Sequence, residues 1–375
     1  MNELEVKILR GENKVGENLI EVTDGETRVL LECGVALEAS DRTRALEEEV
    51  IKTSYDCVIV THCHADHSGL LKKRLSAQHI YMGEATFKIL EYCGGIHEDN
   101  KPKIRFMQSD VSFLVGAIEV KAYLCDHSAY DSYMVELRKG VCDLLYTGDF
   151  RSNGRKSFEA LARKLPKQVE YLIIERTNPL LRNRTERDLE EEATELFKAC
   201  KRIFILQSSL NIDRTVTFYR AAKRTGKAFI MSKGAADIGS MYENIPSPVD
   251  FSNCYTYFSR AQREEDYIKA KAFYDHKLLG YATIAKMGEF VMQIHSGMLG
   301  YLQKLSKLCN LNGCVLVYSM WQGYKSNMAD FLHGLEMLGI RTVDMHVSGH
   351  ADVQTAKKLI AITNPKQIYM VHCEK

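Results

Sequence analysis

Short apolar runs rich in β-branched residues recur along the chain, separated by turn residues, and they predict strands before anything else. Residues 4–8, 19–22 and 28–33 form the first three runs, broken by Gly-Glu-Asn and Asp-Gly turns. A helical pattern over 45–51 precedes the strand Cys57-Val58-Ile59-Val60. Residues 70–75 read as the start of a second helix, 79–81 as a strand and 83–92 as a third helix. The runs 118–124, 141–146 and 171–174 are strands that finish on residues able to bind a metal or carry a proton. They end on Asp126-His127-Ser128, Thr147-Gly148-Asp149 and Glu175. Loops held by a rigid scaffold are where binding and catalytic groups concentrate.

From about residue 179 the rhythm changes to alternating helix and strand. Helical patterns over 184–198, 214–224 and 264–275 alternate with strand runs at 203–206, 228–231 and 290–294, which suggests a small α/β unit with a parallel sheet. The runs 314–318, 342–345 and 367–371 return to strands ending in polar residues, namely Ser319, His346-Val347-Ser348-Gly349-His350 and His372. One domain interrupted by another follows, with expected boundaries of 1–178, 179–310 and 311–375.

The densest chemistry lies in Thr61-His62-Cys63-His64-Ala65-Asp66-His67-Ser68-Gly69, at the mouth of the 57–60 strand. Three imidazoles and a carboxylate within six residues suit Zn²⁺ or another borderline divalent ion. Strand alternation points His62 and His64 the same way, and the turn can bring Asp66 and His67 to a second position. With the later strand ends added, His62, His64 and His127 could hold one cation and Asp66, His67 and His372 another, with Asp149 between them. Paired cations of this kind serve hydrolysis. A histidine oriented by a carboxylate suits the proton that a leaving oxygen needs. His350 with Glu175 is the candidate pair, although Glu175 could instead pair with Arg176. Glu32, at another strand end, reads as a group that steadies a ligand imidazole through its other nitrogen. Ser208, Ser209 and Asn211 could cap the helix that follows or bind a phosphate at its N-terminus.

Composition narrows the class only a little. The 375 residues are 45% hydrophobic and 26% charged, which is ordinary for a globular protein. A net charge of +1 gives no global field toward nucleic acid or membranes, although a local basic groove could hide in the total. No run of 18 apolar residues occurs, and the polar N-terminus does not read as a signal peptide. The 11 cysteines are scattered without a CxxC framework, so free thiols and a cytoplasmic location are expected. Cys63 and Cys125 lie nearest the expected metals and read as core residues.

The string Thr61 to Gly69 resembles the HxHxDH signature of metallo-β-lactamase-fold hydrolases. Asp126-His127-Ser128, Thr147 to Phe150 and the upstream Glu32-Cys33-Gly34 follow in that family's order. Glu175, His350 and His372 are similar to three further motifs of its nuclease branch, β-CASP. The strings Glu175-Arg176-Thr177-Asn178, Gln207-Ser208-Ser209-Leu210-Asn211 and His346 to His350 look most like ribonuclease J, and also resemble the RNA-cleaving subunit of mRNA 3′-end cleavage.

The resemblance implies an α/β chain, with a four-layer αββα metallo-β-lactamase fold interrupted by an inserted α/β β-CASP domain. It also implies two Zn²⁺ ions, with Mn²⁺ as the alternative. The implied activity is RNA phosphodiester hydrolysis, because a histidine at the position of His372 goes with RNA enzymes. Asp66, His350 and Glu175 would assist catalysis, and Ser208, Ser209, His346 and Ser348 would contact substrate phosphates beneath the inserted domain. The departures are Glu32 where aspartate is common, Cys373 where glycine is usual, and an end at Lys375 where ribonuclease J continues into a further domain. They leave open exo- versus endonuclease behaviour, 5′-end preference and DNA as the polymer. The alternative readings are a hydrolase of a small ester or thioester and a catalytically silent RNA-binding relative, and a homo-oligomer is possible.

Overall fold

A computed structural model of the chain describes residues 3–12, 14–36, 38, 40–241, 251, 253–257 and 277–373. The chain forms two compact units, Met1–Asn183 with Gly349–Lys375, and Arg184–Ser348.

The first unit holds two six-stranded sheets. Numbered along the chain, the first contains β1 (Glu5–Arg10), β2 (Leu19–Thr23), β3 (Arg28–Leu31), β4 (Tyr55–Ile59), β5 (Ala77–Met82) and β6 (Ile104–Phe106), side by side in that order. It is antiparallel from β1 to β3 and parallel from there on. The second contains β7 (Ser112–Val115), β8 (Ile118–Cys125), β9 (Ser132–Lys139), β10 (Cys142–Tyr146), β11 (Tyr171–Glu175) and the last strand, β19 (Gln367–Val371), beside β11. Val29, Leu31, Cys57 and Ile59 of the first sheet share one buried cluster with Val120, Val135, Leu144 and Ile173 of the second, so the sheets pack face to face.

The alternate residues are buried too. Leu30, Val58 and Ile80 are fully buried on the far face of the first sheet. Leu145, Leu172 and Ile174 of the second pack against Phe158 and Leu161 of one helix and Leu359 of another. Both faces of each sheet therefore carry apolar side chains, at roughly 1.5–3 kcal/mol for each fully buried Val, Leu or Ile. Strands buried on both faces read as continuous apolar runs, which is why 57–60 stood out in the sequence. The result is the four-layer αββα arrangement that the motifs implied.

The second unit is built on one parallel seven-stranded sheet, ordered β15-β14-β13-β16-β12-β17-β18. These strands are β12 (Arg202–Leu206), β13 (Ala228–Ser232), β14 (Tyr255–Tyr257), β15 (Leu278–Leu279), β16 (Phe290–Ile294), β17 (Val315–Tyr318) and β18 (Arg341–Asp344). Ile203 and Ile205 pack on one face with Phe197 and Phe218. Phe204 and Leu206 pack on the other with Leu302, Leu305 and Phe331.

Three expectations change. The second unit runs to Ser348 rather than 310, because β17 pairs in parallel with β12 and β18 with β17, which holds both in the second sheet. Their polar ends resemble those of the first unit only because every parallel strand ends in a loop. The helix expected over 70–75 starts earlier, as a turn over Ala65–Ser68 with His64 before it, and ends in a 3₁₀ turn at Lys72. The strand β9 went unforeseen, although it is the centre of the second sheet. The helix expected over 264–275 lies outside the described residues.

Candidate metal centre

The strand ends of both sheets in the first unit carry the chemistry. His62 and His64 follow β4, and Asp66 and His67 lie in the short helical turn beyond it. Backbone bonds fix that turn: Asn18 N–H donates to Asp66 O (3.1 Å), Cys33 N–H to His67 O (2.8 Å) and Val35 N–H to Ala65 O (3.1 Å). A Cβ on Gly34 would stand 1.8 Å from the Asp66 carbonyl oxygen, so only glycine permits this approach. His127 follows β8, Asp149 follows β10, Glu175 ends β11 and His372 follows β19. Glu32 (φ +65°) and His372 (φ +54°) adopt the left-handed region that branched or bulky residues avoid. Strained backbone of this kind gathers at functional sites.

The donor atoms converge. His62 Nε2 lies 3.1 Å from His64 Nδ1, which lies 3.3 Å from His127 Nε2. Asp66 Oδ2 lies 3.2 Å from His372 Nε2 and 3.8 Å from His67 Nε2. One oxygen, Asp149 Oδ2, faces both groups. It lies 3.3 Å from His67, 3.5 Å from His372, 3.7 Å from His127 and 3.8 Å from His62. Donors bound to one ion at about 2.0–2.2 Å stand about 3–3.6 Å from each other, so these separations fit two triads sharing a carboxylate. The other oxygen, Asp149 Oδ1, is buried with no hydrogen-bond partner among the described residues.

The opposite ring nitrogens say which one is free. His127 Nδ1 lies 2.6 Å from the Gly349 carbonyl, which can only accept, so Nδ1 carries the proton and Nε2 is left as a lone pair. His67 Nδ1 faces Glu32 Oε1 at 3.1 Å. The Thr61 hydroxyl donates to Glu32 Oε1 (2.5 Å) and accepts from His62 Nδ1 (3.0 Å). The Thr177 hydroxyl donates to the His372 carbonyl (2.8 Å) and accepts from His372 Nδ1 (2.5 Å). The Nε2 atoms of His62, His127 and His372 are thereby presented as lone pairs to the centre, and that of His67 faces it as well, as metal-binding imidazoles require.

Burial pushes the His62, His64 and His127 imidazoles down, so they stay neutral. Burial acts the same way on His67, but the Asp149, Asp66 and Glu32 carboxylates outweigh it and hold that ring up. Burial disfavours charge on Asp66 and Asp149, yet the surrounding imidazoles hold both carboxyls well below the usual range. A histidine-rich donor set with one shared carboxylate suits two borderline divalent cations.

His350 sits at the edge of the centre, 23% exposed, with Nδ1 3.4 Å from Glu175 Oε1 and 3.7 Å from Asp149 Oδ2. Burial would lower it, but Glu175 and Asp149 raise it to about 9. Glu175 is itself fixed, accepting from Ala351 N–H (3.1 Å) and Thr177 N–H (3.0 Å), so its carboxylate faces His350 rather than Arg176. Asn183 Nδ2 donates to the His350 carbonyl (2.9 Å) and Asn183 Oδ1 accepts from Asn178 Nδ2 (2.7 Å), which holds the His350 loop.

Several of these supports escaped the sequence. Thr61 flanks the histidine motif and Thr177 lies two residues after Glu175, which was the only signal for either. Asn18, whose amide lies 3.5 Å from His67 Nε2, left none.

The remaining candidates lie in the second unit. Ser208 Oγ accepts from Leu210 N–H (3.3 Å), and Asn211 caps the following helix through Arg214 N–H (3.0 Å). His346 Nδ1 stands 3.4 Å from the fully buried Arg214 guanidinium, which also donates to the Val347 carbonyl and pairs with Glu186. Ser209 and Ser348 are half-buried. Cys63 and Cys125 are buried free thiols, pushed upward by burial, and suit the core role.

Two facing sheets whose loops bring five histidines and two carboxylates together, one of the carboxylates shared, define a metallo-hydrolase architecture. The model of the metallo-beta-lactamase superfamily matches residues 15–216, and the chain belongs to that superfamily. Among its relatives is Integrator complex subunit 11 of Danio rerio, 23% identical over 438 residues that cover all of this chain and 70% of that one. Transcription termination factor FttA of Methanothermobacter thermautotrophicus is 27% identical over 213 residues, covering 48% of this chain and 33% of its own. The fold is also that of a protein of unknown function from Enterococcus faecalis V583, with a TM-score of 0.79 and 18% identity, covering 98% of this chain and 93% of the other. These relatives and the interrupted first unit are consistent with the β-CASP branch.

Proposed function

We propose that the chain is a two-metal phosphodiesterase that hydrolyses RNA. The carrying observation is Asp149 Oδ2, which stands within 3.8 Å of donor nitrogens from both triads. His62, His64 and His127 would hold one cation and Asp66, His67 and His372 the other, with Zn²⁺ the best match and Mn²⁺ the alternative. Cations bound there would lower the pKa of water to near neutrality and would offset charge on phosphodiester oxygens. Asp66 and Asp149 orient the nucleophilic water through hydrogen bonds. His350, held up by Glu175, donates a proton to the leaving oxygen. Glu32 fixes the His67 ring.

RNA is favoured over DNA by His372 at the last motif, and one relative, FttA, is named a transcription termination factor. Ser208, Ser209, His346 and Ser348 are proposed phosphate contacts. No helix among the described residues is long and apolar enough to cross a membrane, and every cysteine is a free thiol, which supports a reducing cytoplasmic setting.

The test is metal quantification on the purified chain, followed by incubation with 5′-monophosphate and 5′-hydroxyl RNA and DNA oligonucleotides. Metal-dependent RNA cleavage that is lost in Asp149→Asn is expected. A metal-loaded, folded chain that leaves all four substrates intact would overturn the reading, and cleavage of DNA alone would redirect it.

A further inference from the structure

One guanidinium ties together the loops that carry the candidate phosphate contacts of the second unit. Arg214 lies in the first turn of the helix Ile212–Arg224, into which the segment from Ser208 to Asn211 leads. Its side chain is fully buried. It reaches Glu186, the first residue of the helix Glu186–Ala199, and Ser319 just past β17. It also reaches His346 and Val347, just past β18. These neighbours come from four separate stretches of chain.

A guanidinium has five N–H groups, no lone pair to offer, and keeps its charge throughout the working pH range. Nε–H is shared between the two Glu186 oxygens (3.2 Å each), and one Nη2–H meets Glu186 Oε1 (3.0 Å). The second Nη2–H donates to the Val347 carbonyl (2.8 Å). One Nη1–H donates to the Ser319 hydroxyl, which leaves the last for His346 Nδ1 at 3.4 Å. Every donor thus has an acceptor, as burial requires. The two-pronged grip of Glu186, which also accepts from the Thr217 hydroxyl (2.7 Å), keeps the guanidinium plane from turning away. Arg214 does not release its protons, so His346 Nδ1 accepts and the proton of the neutral ring sits on Nε2. A proton on Nδ1 would set N–H against N–H and strand a buried charged donor. His346 is only half-buried, so the ring is held from its inner side without being sealed.

We propose that Arg214 is a positioning residue, which fixes His346 as its Nε2–H tautomer so that this N–H is the donor that meets a substrate phosphate oxygen. The phosphate contact rests on the RNA-hydrolysing reading above, whereas the tautomer does not. The same guanidinium holds the Val347 carbonyl, so it sets both the proton on the ring and the course of the backbone beside it. Through its own N–H, bound to Asn211 Oδ1 (3.0 Å), Arg214 also closes the turn that follows Ser208 and Ser209. One buried side chain thereby joins the two segments from which phosphate contacts are proposed. Glu186, which touches neither segment's candidate contact directly, acts by orienting Arg214.

The test is nitrogen NMR of the Zn²⁺-loaded full chain labelled with ¹⁵N-histidine, above the ordinary imidazole pKa of about 6.5. The His346 signals, identified by their loss in His346→Gln, should show Nδ1 unprotonated and Nε2 protonated. This measurement needs no change at Arg214, so it decides the tautomer even where a variant does not fold. Removing the guanidinium alone would strand the Glu186 carboxylate in the core, so Arg214→Met is made together with Glu186→Leu, which removes both charges at once. In that pair the His346 nitrogens should move toward the average of two exchanging tautomers. KM for a 5′-monophosphate RNA oligonucleotide should rise about tenfold or more, the worth of one hydrogen bond to a charged group, with kcat within about threefold of the parent. In the His346→Gln background the same pair should raise KM less than about threefold further, because its effect runs through His346. A proton on Nδ1 in the parent, a tautomer unmoved by the paired substitution, or KM losses that multiply in the combined variant would each overturn the proposal. A parent that shows the Nε2–H ring yet cleaves no RNA supports the positioning of His346 and refutes the substrate reading alone.

Discussion

Thr177→Val probes whether His372 is held for metal or merely buried. Valine keeps the shape of the threonine side chain but removes the hydroxyl that both donates to the His372 carbonyl and accepts from its Nδ1. His372 is 2% exposed, so no solvent replaces the lost partner. The freed ring can then move its proton to Nε2, the atom 3.2 Å from Asp66 Oδ2 and 3.5 Å from Asp149 Oδ2. Loss of such a support costs about 10–100-fold in metal affinity, which is about 1.4–2.8 kcal/mol. The metal-free fold should also lose about 1–3 kcal/mol for the buried groups left unpaired.

Competition with a chromophoric chelator gives the two affinities separately. Only one should weaken in Thr177→Val, because Thr177 touches only His372 among the seven candidate ligands. Thr177→Ser, which keeps the hydroxyl, should stay within about threefold of the parent (about 0.65 kcal/mol). Equal weakening of both ions, unchanged affinity in Thr177→Val, or equal damage from serine and valine would refute the reasoning.

Other outcomes follow from the same geometry. Gly148 (φ +51°) precedes Asp149, and a Cβ there would stand 2.9 Å from Thr61 Oγ1 and 3.0 Å from the Tyr133 carbonyl. Gly148→Ala should cost about 1–2 kcal/mol of stability and reduce hydrolysis more than tenfold, read by denaturation and by rate. Glu175→Gln removes the leading carboxylate that raises His350 toward 9, so the descending alkaline limb of the pH–rate profile should move to lower pH, and an unmoved limb would exclude His350 as the proton donor. Asp24 is held at about 2: burial opposes its charge, but the Lys139 ammonium and the Thr27 and Glu26 N–H groups outweigh it. Its contribution is present above the ordinary carboxyl pKa of 3.8 and fades as pH falls toward 2. Asp24→Asn should therefore cost about 1 kcal/mol at pH 7, less than the full shift because solvent screens the pair, and the difference should shrink by pH 3 in denaturant titrations.

What could be read without coordinates was whatever local pattern encodes. The strand 290–294 was legible to the residue because a buried parallel strand is an apolar run, and 367–371 was legible from its Ile368 to Val371 run although it is a largely exposed edge strand. The seven candidate ligands stood out because five are histidines, of which the chain has 12, and because they sit just past such runs. The strand Ser132–Lys139 was not, since its Tyr133, Glu136 and Arg138 mix polar with apolar positions, and Glu136 is buried by pairing with the Tyr123 hydroxyl from β8. The boundary at Ser348 was equally hidden. Which sheet takes a parallel strand depends on pairing across more than a hundred residues, as between β12 and β17, and no local signal carries it. Thr61, Thr177 and Asn183 act through hydrogen bonds to Glu32, His372 and His350 respectively, so their residue type alone does not distinguish them from ordinary loop positions.

Charge at the centre was hidden in a different way, because a net charge of +1 averages over 375 residues. Glu32, Asp149 and Glu175 are nearly fully buried around one point, and Asp66 joins them at 20% exposure. Against these four carboxylates, only His67 and His350 are driven toward the charged form, whereas His62, His64 and His127 are driven to neutrality by burial. A place so rich in imidazole is thus anionic, not basic. Uncompensated buried charge costs several kcal/mol per ion, and acids usually escape it by taking up protons. Here Asp66 and Asp149 are instead held ionised by the neighbouring rings, His67 among them, while His62, His64 and His127 add neutral nitrogens that give the carboxylates no such support. Lone pairs and carboxylates aimed at the same two points have no mutual attraction to hold them there, so the arrangement is stable to the extent that cations occupy it, and folding and metal uptake should be linked.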